Sequence, residues 1–63
     1  MEKFLELHTL KGEILTVNLS FIMSFFPCKK GTTLLFADGL TQDVSESYEV
    51  LAAELKVLTD SKL

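Results

Sequence analysis

Arginine and tryptophan are absent from this 63-residue chain, and cysteine, histidine and proline occur once each. The single cysteine, Cys28, cannot form a disulfide within the chain. With His8 as the one histidine, no cluster of His and Cys ligands can hold a zinc ion. Small domains commonly use disulfides or metals to supplement a small hydrophobic core. We therefore predict neither a metal nor a cofactor, and expect that support to come from a partner chain.

Basic charge is also scarce, since six lysines face nine acidic residues and the formal net charge is −3. Affinity for nucleic acid comes largely from Lys and Arg contacts with phosphate, so we expect no nucleic-acid partner. No apolar run approaches the ~20 residues that span a bilayer. Met1–Phe4 lacks the charged start and apolar core of a signal peptide. A free cysteine without a targeting segment predicts a cytoplasmic protein with no membrane span.

Large apolar residues are abundant, and they concentrate in the stretch Phe21–Phe26, where five of six residues are large and apolar. Successive side chains of a strand point to opposite faces. Regular alternation would put Phe21, Met23 and Phe25 on one face. It would put Ile22 and Phe26 on the other face. Such a strand needs cover on both faces, so we expect the fold to be organised around it.

Alternating apolar residues and turn residues predict five strands joined by short connections. Lys11-Gly12 and Asp38-Gly39 indicate hairpin turns, Asn18–Ser20 indicates a corner, and Pro27 is expected to end the central strand because it lacks a backbone donor. The predicted strands are Phe4–Leu10, Glu13–Val17, Phe21–Phe26, Thr32–Ala37 and Leu40–Val44.

After the fifth strand the apolar period changes from two to 3.6, which predicts a helix. Ser45 or Ser47 supplies the N-cap, and we favour Ser47. The helix is expected to end near Leu58 or Thr59, with a fraying tail up to Leu63. The apolar stripe of this helix comprises Tyr48, Leu51, Ala52, Leu55 and Leu58.

Together these elements predict a single α+β domain over residues 1–63. We expect a five-stranded antiparallel meander or small open barrel, with one C-terminal helix packed on one face. The helix covers only one side of the sheet, so apolar residues on the other side are left to a homodimer partner or to another protein. The predicted interface residues are Phe4, Phe21, Met23, Phe25, Phe26 and Phe36.

Residues with reactive side chains do not form a catalytic constellation. His8 lies within a strand without an evident nucleophile, which is typical of a surface histidine. Lys29 and Lys30 favour the thiolate of Cys28, but no resolving cysteine or base accompanies it. The acidic residues fit turn and helix N-terminal positions without a metal: Asp38, Asp43, Glu46 and Glu49. We therefore predict a protein that is not an enzyme and has no small-molecule substrate.

Several segments resemble the small flagellar and swarming-motility proteins of the FlbD-like family. They are Leu10-Lys11-Gly12, Val17-Asn18 followed by Phe21-Ile22, Leu35–Gly39, and Val44–Ser47 leading into an acidic helix. The resemblance covers roughly residues 5–58. It implies a cytoplasmic bacterial protein that supports flagellar function through protein contacts, without catalytic residues. The chain departs from the family at Phe25–Cys28, which is more apolar.

A second resemblance links Val17–Leu55 to the opening half of LytTR-type DNA-binding domains, which also run through three strands into a helix. It implies an alternative function as a nucleic-acid-binding or regulatory module of a phage or mobile element. The basic residues that such domains set on DNA have no counterpart here after Leu55. The likeness is therefore one of fold, and fold alone does not imply function.

Overall fold

The computed structural model of the chain describes the backbone of residues 3–60 and the side chains of residues 3–55. Five strands are followed by one C-terminal helix, which confirms the predicted α+β class. In chain order the elements are β1 (Phe4–His8), β2 (Ile14–Asn18), a 3₁₀ helix (Leu19–Phe21), β3 (Ile22–Cys28), β4 (Gly31–Phe36), β5 (Thr41–Val44) and α1 (Tyr48–Asp60).

The strands form two antiparallel sheets, β1–β2 and β3–β4–β5, and not the single five-stranded meander that we predicted. The division falls at the 3₁₀ helix. The Oδ1 atom of Asn18 accepts hydrogen bonds from the backbone N–H and the hydroxyl of Ser20, at 3.0 and 2.8 Å. These local bonds compete with strand pairing, so β2 turns away from β3 instead of forming a hairpin with it.

The two sheets meet where β1 ends and β5 ends. Thr9 and Val44 form an isolated antiparallel bridge, and the backbone N–H of Ser45 donates to the carbonyl of His8 at 2.8 Å. These contacts join the sheets at one corner without closing a barrel.

An irregularity in β3 changes which of its side chains face the core. Ile22 pairs with Phe36, whereas Ser24 pairs with Leu35, so Met23 is an extra residue in the ladder. A β-bulge of this kind shifts the alternation by one residue. Ile22 and Phe25 consequently both pack against the core. Our prediction that they lie on opposite faces of the strand was wrong.

Pro27 does not end β3, which continues to Cys28, with Pro27 opposite Thr32. The prediction that proline terminates this strand was therefore wrong. β3 pairs with β4 alone among the described strands. Proline is tolerated at a sheet edge, because its missing N–H leaves no ladder bond unmade on the open side.

The buried core draws on both sheets and the helix, and its fully buried apolar side chains are those of Leu7, Val17, Leu34, Val44 and Leu51. From α1, Leu51 enters this core, and the Tyr48 ring lies 5.2 Å from that of Phe25. Ala52 and Leu55 are half-buried. The predicted apolar stripe therefore faces the sheets within the described part, while Leu58 lies outside the described side chains.

Ser47 caps α1 as predicted, because its Oγ accepts from the backbone N–H of Val50 at 3.2 Å. The N–H of Leu51 donates to the carbonyl of Ser47 at 3.1 Å. The bond to Val50 satisfies one of the first-turn N–H groups that have no partner within a helix, and the bond from Leu51 is the first of the helical ladder. The helix extends to Asp60, just past its predicted end. The tail predicted to fray, residues 61–63, lies outside the described residues.

Candidate interaction surface

The six predicted interface residues differ in how far they reach solvent. Phe4 is 61% exposed, Phe21 45%, Met23 69% and Phe26 46%. Phe25 and Phe36 are half-buried and pack against the core. The structure thus brings four of the six to the surface, and gives Phe25 and Phe36 mainly interior contacts. The bulge at Met23 is the reason that Phe25 faces inward.

One end of the molecule gathers the start of β1, the 3₁₀ helix, the start of β3 and the end of β4. The N–H of Leu19 donates to the carbonyl of Lys3 at 2.9 Å, and the N–H of Ala37 donates to the carbonyl of Phe21 at 2.8 Å. The ring of Phe21 stacks on that of Phe36, with centroids 6.2 Å apart. These contacts fix the backbone of four elements side by side.

The turn between β4 and β5 adds Leu40 to this end. The N–H of Phe36 donates to the carbonyl of Leu40 at 2.9 Å, and Asp38 Oδ1 accepts from the N–H of Leu40 at 3.0 Å. Leu40 is 65% exposed. Sequence reasoning did not single out Leu40 as an exposed apolar residue, although its position directly after the Asp38-Gly39 turn is a signal of exposure. We call the exposed set Phe4, Phe21, Met23 and Leu40 the apolar end.

Phe26 belongs to a different surface, the outer face of the three-stranded sheet. It pairs with Thr33, whose hydroxyl donates to Asp43 Oδ1 at 2.7 Å. Leu35 alternates with the buried Leu34 and so shares this outer face. Because Phe26 lies along the strand from the apolar end and on the opposite side of the sheet from the core, the predicted interface residues do not form one continuous patch.

We call the opposite end of the molecule, which carries the charged turn residues, the polar end, although it also exposes Leu10 and Ile14. The β1–β2 turn there carries Lys11 and Glu13, and the β3–β4 turn carries Lys29 and Lys30. A cleft of about 360 Å³ lies between the β3–β4 turn and the start of α1, lined by Pro27, Cys28, Lys29, Lys30, Gly31, Ser45, Ser47, Tyr48 and Glu49. Cys28 is free and half-buried. Within the described part of the chain, no group of His, Cys, Asp and Glu is arranged to hold a metal ion.

Glu46 connects β1 to the segment between β5 and α1. Its Oε1 accepts from the backbone N–H of His8 at 3.0 Å, and its Oε2 accepts from the imidazole Nδ1 of His8 at 2.7 Å. Its carbonyl accepts from the hydroxyl of the buried Thr32 at 2.8 Å. His8 was predicted to be a surface histidine. It is partly exposed, and it is hydrogen-bonded to Glu46 in the segment that leads into α1.

Two opposing effects act on the pKa of the Glu46 carboxyl. Burial on its own raises this pKa, while the hydrogen bonds from the side chain and backbone of His8 lower it, and the net result lies below the ordinary value of 4.5. Hydrogen bonds to the charged form favour that form. The Glu46 carboxylate is therefore ionised at neutral pH and accepts both hydrogen bonds from His8 in that form.

We expect the Glu46 contacts to stabilise the fold at neutral pH and to fail in acid. Because the folded pKa is depressed, the stabilisation is fully present above the ordinary value and is lost as pH falls through the folded pKa. The measurement is urea denaturation at several pH values from about pH 7 to about pH 3, a range that includes the ordinary pKa values of carboxyl groups. Glu46→Gln should be less stable than the wild type at pH 7, with the gap narrowing in acid. Glu13→Gln, at an exposed position, is the control, and a constant gap would contradict the assignment.

Comparison of the chain with protein-family models, curated proteins and solved structures gives no significant match. The likeness to FlbD-like proteins therefore stays a prediction from sequence. Within residues 3–60, the structure has no helix with the length and apolar character needed to cross a bilayer.

Proposed function

We propose that this chain is a non-enzymatic protein-interaction module that self-associates through exposed apolar side chains. The observation that carries the proposal is the balance of large apolar residues in the described part of the chain. Five are buried in the core, and nine are exposed, namely Phe4, Leu10, Ile14, Phe21, Met23, Phe26, Leu40, Tyr48 and Val50. Apolar surface that collects into patches is typical of protein-binding sites.

Sedimentation equilibrium tests self-association directly. Over roughly 10 to 500 μM, a range that brackets micromolar dissociation constants, we expect the average mass to rise from that of the 7.1 kDa chain towards twice that value. A symmetric dimer is the simplest closed arrangement. A single 7.1 kDa species at all concentrations would reject self-association and favour a different protein as the partner.

The FlbD-like resemblance narrows the proposal to a cytoplasmic adaptor that acts in flagellar motility. Its support is the order of turn and strand segments in the sequence, from Leu10-Lys11-Gly12 to Val44–Ser47. Deletion of the gene is the test, with swarming and flagellum number as the measurements. Loss of swarming that the wild-type gene restores supports the role, whereas normal swarming of the deletion strain rejects it.

The alternative function in nucleic-acid binding gains no support from the distribution of charge. Acidic residues lie close to the lysines of the polar end. Glu13 is near Lys11 in the β1–β2 turn. Glu49 lines the same cleft as Lys29 and Lys30. Phosphate binding favours basic surfaces without such neighbours. Protein contact is therefore the function that the surface supports best.

A further inference from the structure

We propose that the Glu46 carboxylate is an acid-sensitive latch between the two sheets, and that its protonation releases the β1–β2 hairpin while β3–β4–β5 and α1 stay folded. Glu46 lies in the segment between β5 and α1, and both of its carboxylate oxygens bind His8 on β1. Its carbonyl accepts from the hydroxyl of Thr32 on β4. One residue thus connects the hairpin with the three-stranded sheet beside the start of the helix.

The hydrogen bonds between the two sheets are concentrated at this corner. Every strand ladder in the described chain lies within one sheet or the other. The sheets are joined by the Thr9–Val44 bridge, by the 2.8 Å bond from the N–H of Ser45 to the carbonyl of His8, and by the two bonds at the Glu46 carboxylate. Loss of the carboxylate as an acceptor therefore removes a large share of the polar contacts that hold the hairpin in place.

The chemistry of the two donors explains why protonation weakens this contact. An ionised carboxylate only accepts hydrogen bonds, so the imidazole Nδ1 of His8, 2.7 Å from Oε2, donates. The backbone N–H of His8 donates to Oε1 at 3.0 Å. A protonated carboxyl would carry its own O–H towards these donors, and an imidazolium has no acceptor to receive it. Two charge-assisted bonds are then replaced by neutral and weaker ones.

The division of the core allows the hairpin to leave before the rest of the fold opens. Leu7 and Val17 are the buried core residues of the hairpin, whereas Leu34, Val44 and Leu51 come from β4, β5 and α1. Release of the hairpin exposes the first two side chains and leaves the other three on elements that remain joined. Proteins open in such cooperative units at free energies below that of global unfolding.

Glu46 sets the pH at which the latch opens. Burial raises the pKa of its carboxyl, and the bonds from the side chain and backbone of His8 together bring it below 4.5. Because the folded pKa is depressed, the contact is complete above the ordinary value and is lost as pH falls through the folded pKa.

Other titratable groups lie on the elements around this corner, although β2 and β4 carry none. Within the described part of the chain, none of their side chains makes a hydrogen bond or ion pair with Glu46. They are Glu6 on β1, Lys11 and Glu13 in the β1–β2 turn, Asp43 on β5, and Tyr48 and Glu49 at the start of α1.

Amide hydrogen exchange followed by NMR tests the release residue by residue. Protection factors, which correct for the pH dependence of chemical exchange, are measured from about pH 7 to about pH 3, a range that includes ordinary carboxyl pKa values. We expect protection of the Leu7 and Val17 amides to fall roughly 10-fold or more in acid, the factor that hydrogen bonds to a charged group supply. Protection of the Leu34 amide should change by less than about 3-fold.

Two variants with equal charge separate the latch from a general effect of carboxylate loss. Glu46→Ala removes both acceptors, so it should lower the protection of the hairpin amides already at pH 7. Asp43→Ala is the control, because Asp43 accepts from the hydroxyl of Thr33 at 2.7 Å, a bond within the three-stranded sheet. Each change raises the formal net charge from −3 to −2. The control should keep the wild-type ratio of protection between Leu7 and Leu34.

Three results would overturn the latch. Equal loss of protection at the Leu7, Val17 and Leu34 amides in acid would mean that the two sheets open together. Unchanged protection of the hairpin amides in Glu46→Ala would mean that the carboxylate does not hold the hairpin. A Glu46→Ala chain that is unfolded at pH 7 by circular dichroism would mean that the rest of the fold does not survive release of the hairpin.

Discussion

Leu51→Ala is expected to remove a large share of the stability of the fold and to lower its melting temperature. Leu51 is the fully buried residue through which α1 enters the core of the two sheets. Truncation of a buried leucine to alanine costs about 2–5 kcal/mol. A domain of this length has a total stability of roughly 3–9 kcal/mol, so the loss is a large share of the whole. Circular dichroism against temperature is the measurement.

Two other residues of α1 provide a graded comparison. Leu55 is half-buried, so Leu55→Ala should destabilise the chain by less than Leu51→Ala. Val50 is 50% exposed, and Val50→Ala should be close to neutral because alanine favours the helix. Equal melting temperatures for the wild type and Leu51→Ala would show that Leu51 does not pack α1 into the core of the two sheets.

Gly31→Ala is the second substitution with a large expected effect. A Cβ at Gly31 would clash with the backbone carbonyl oxygen of Val44, where β4 lies against the end of β5. The obstacle is main chain, which cannot rotate away as a flexible side chain can. Overpacking costs typically about 1–3 kcal/mol, and we expect the upper end of that range, seen as a lower urea midpoint.

Gly39→Asn is the matched control for Gly31→Ala. Gly39 has a φ of +92°, and no atom lies within 4 Å of the position that its Cβ would occupy. Asparagine enters the positive-φ region more readily than other residues with a Cβ, so this substitution should cost less than Gly31→Ala. If Gly31→Ala had the same urea midpoint as the wild type, the close approach of β4 to the end of β5 would be refuted.

Features encoded over a few residues were predictable from sequence. Ser47 was favoured as the helix cap, and its hydroxyl makes the expected bond three residues on. The Asp38-Gly39 turn joins the predicted strands, with Asp38 bonded to the backbone two residues later. In both, the side chain and the group that it binds are sequence neighbours, so composition and spacing carry the information.

Features that depend on pairing between distant segments were not predictable. Nothing in the run Phe21–Phe26 shows that Met23 is a bulge, because the register is set by packing against β4. The bonds between His8 and Glu46 join residues 38 positions apart. The interface prediction has the same limit, because it included both Phe25 and Phe26 and alternation alone could not show that Phe25 packs against the core.

The bridge between Thr9 and Val44 also has a consequence for the order of folding. Every strand ladder in the described chain joins strands that are consecutive in sequence, and such local contacts form early because little loop entropy is lost. The bridge is different, since it must close a loop of more than thirty residues. We therefore expect hairpin formation to precede the docking of β1 on β5.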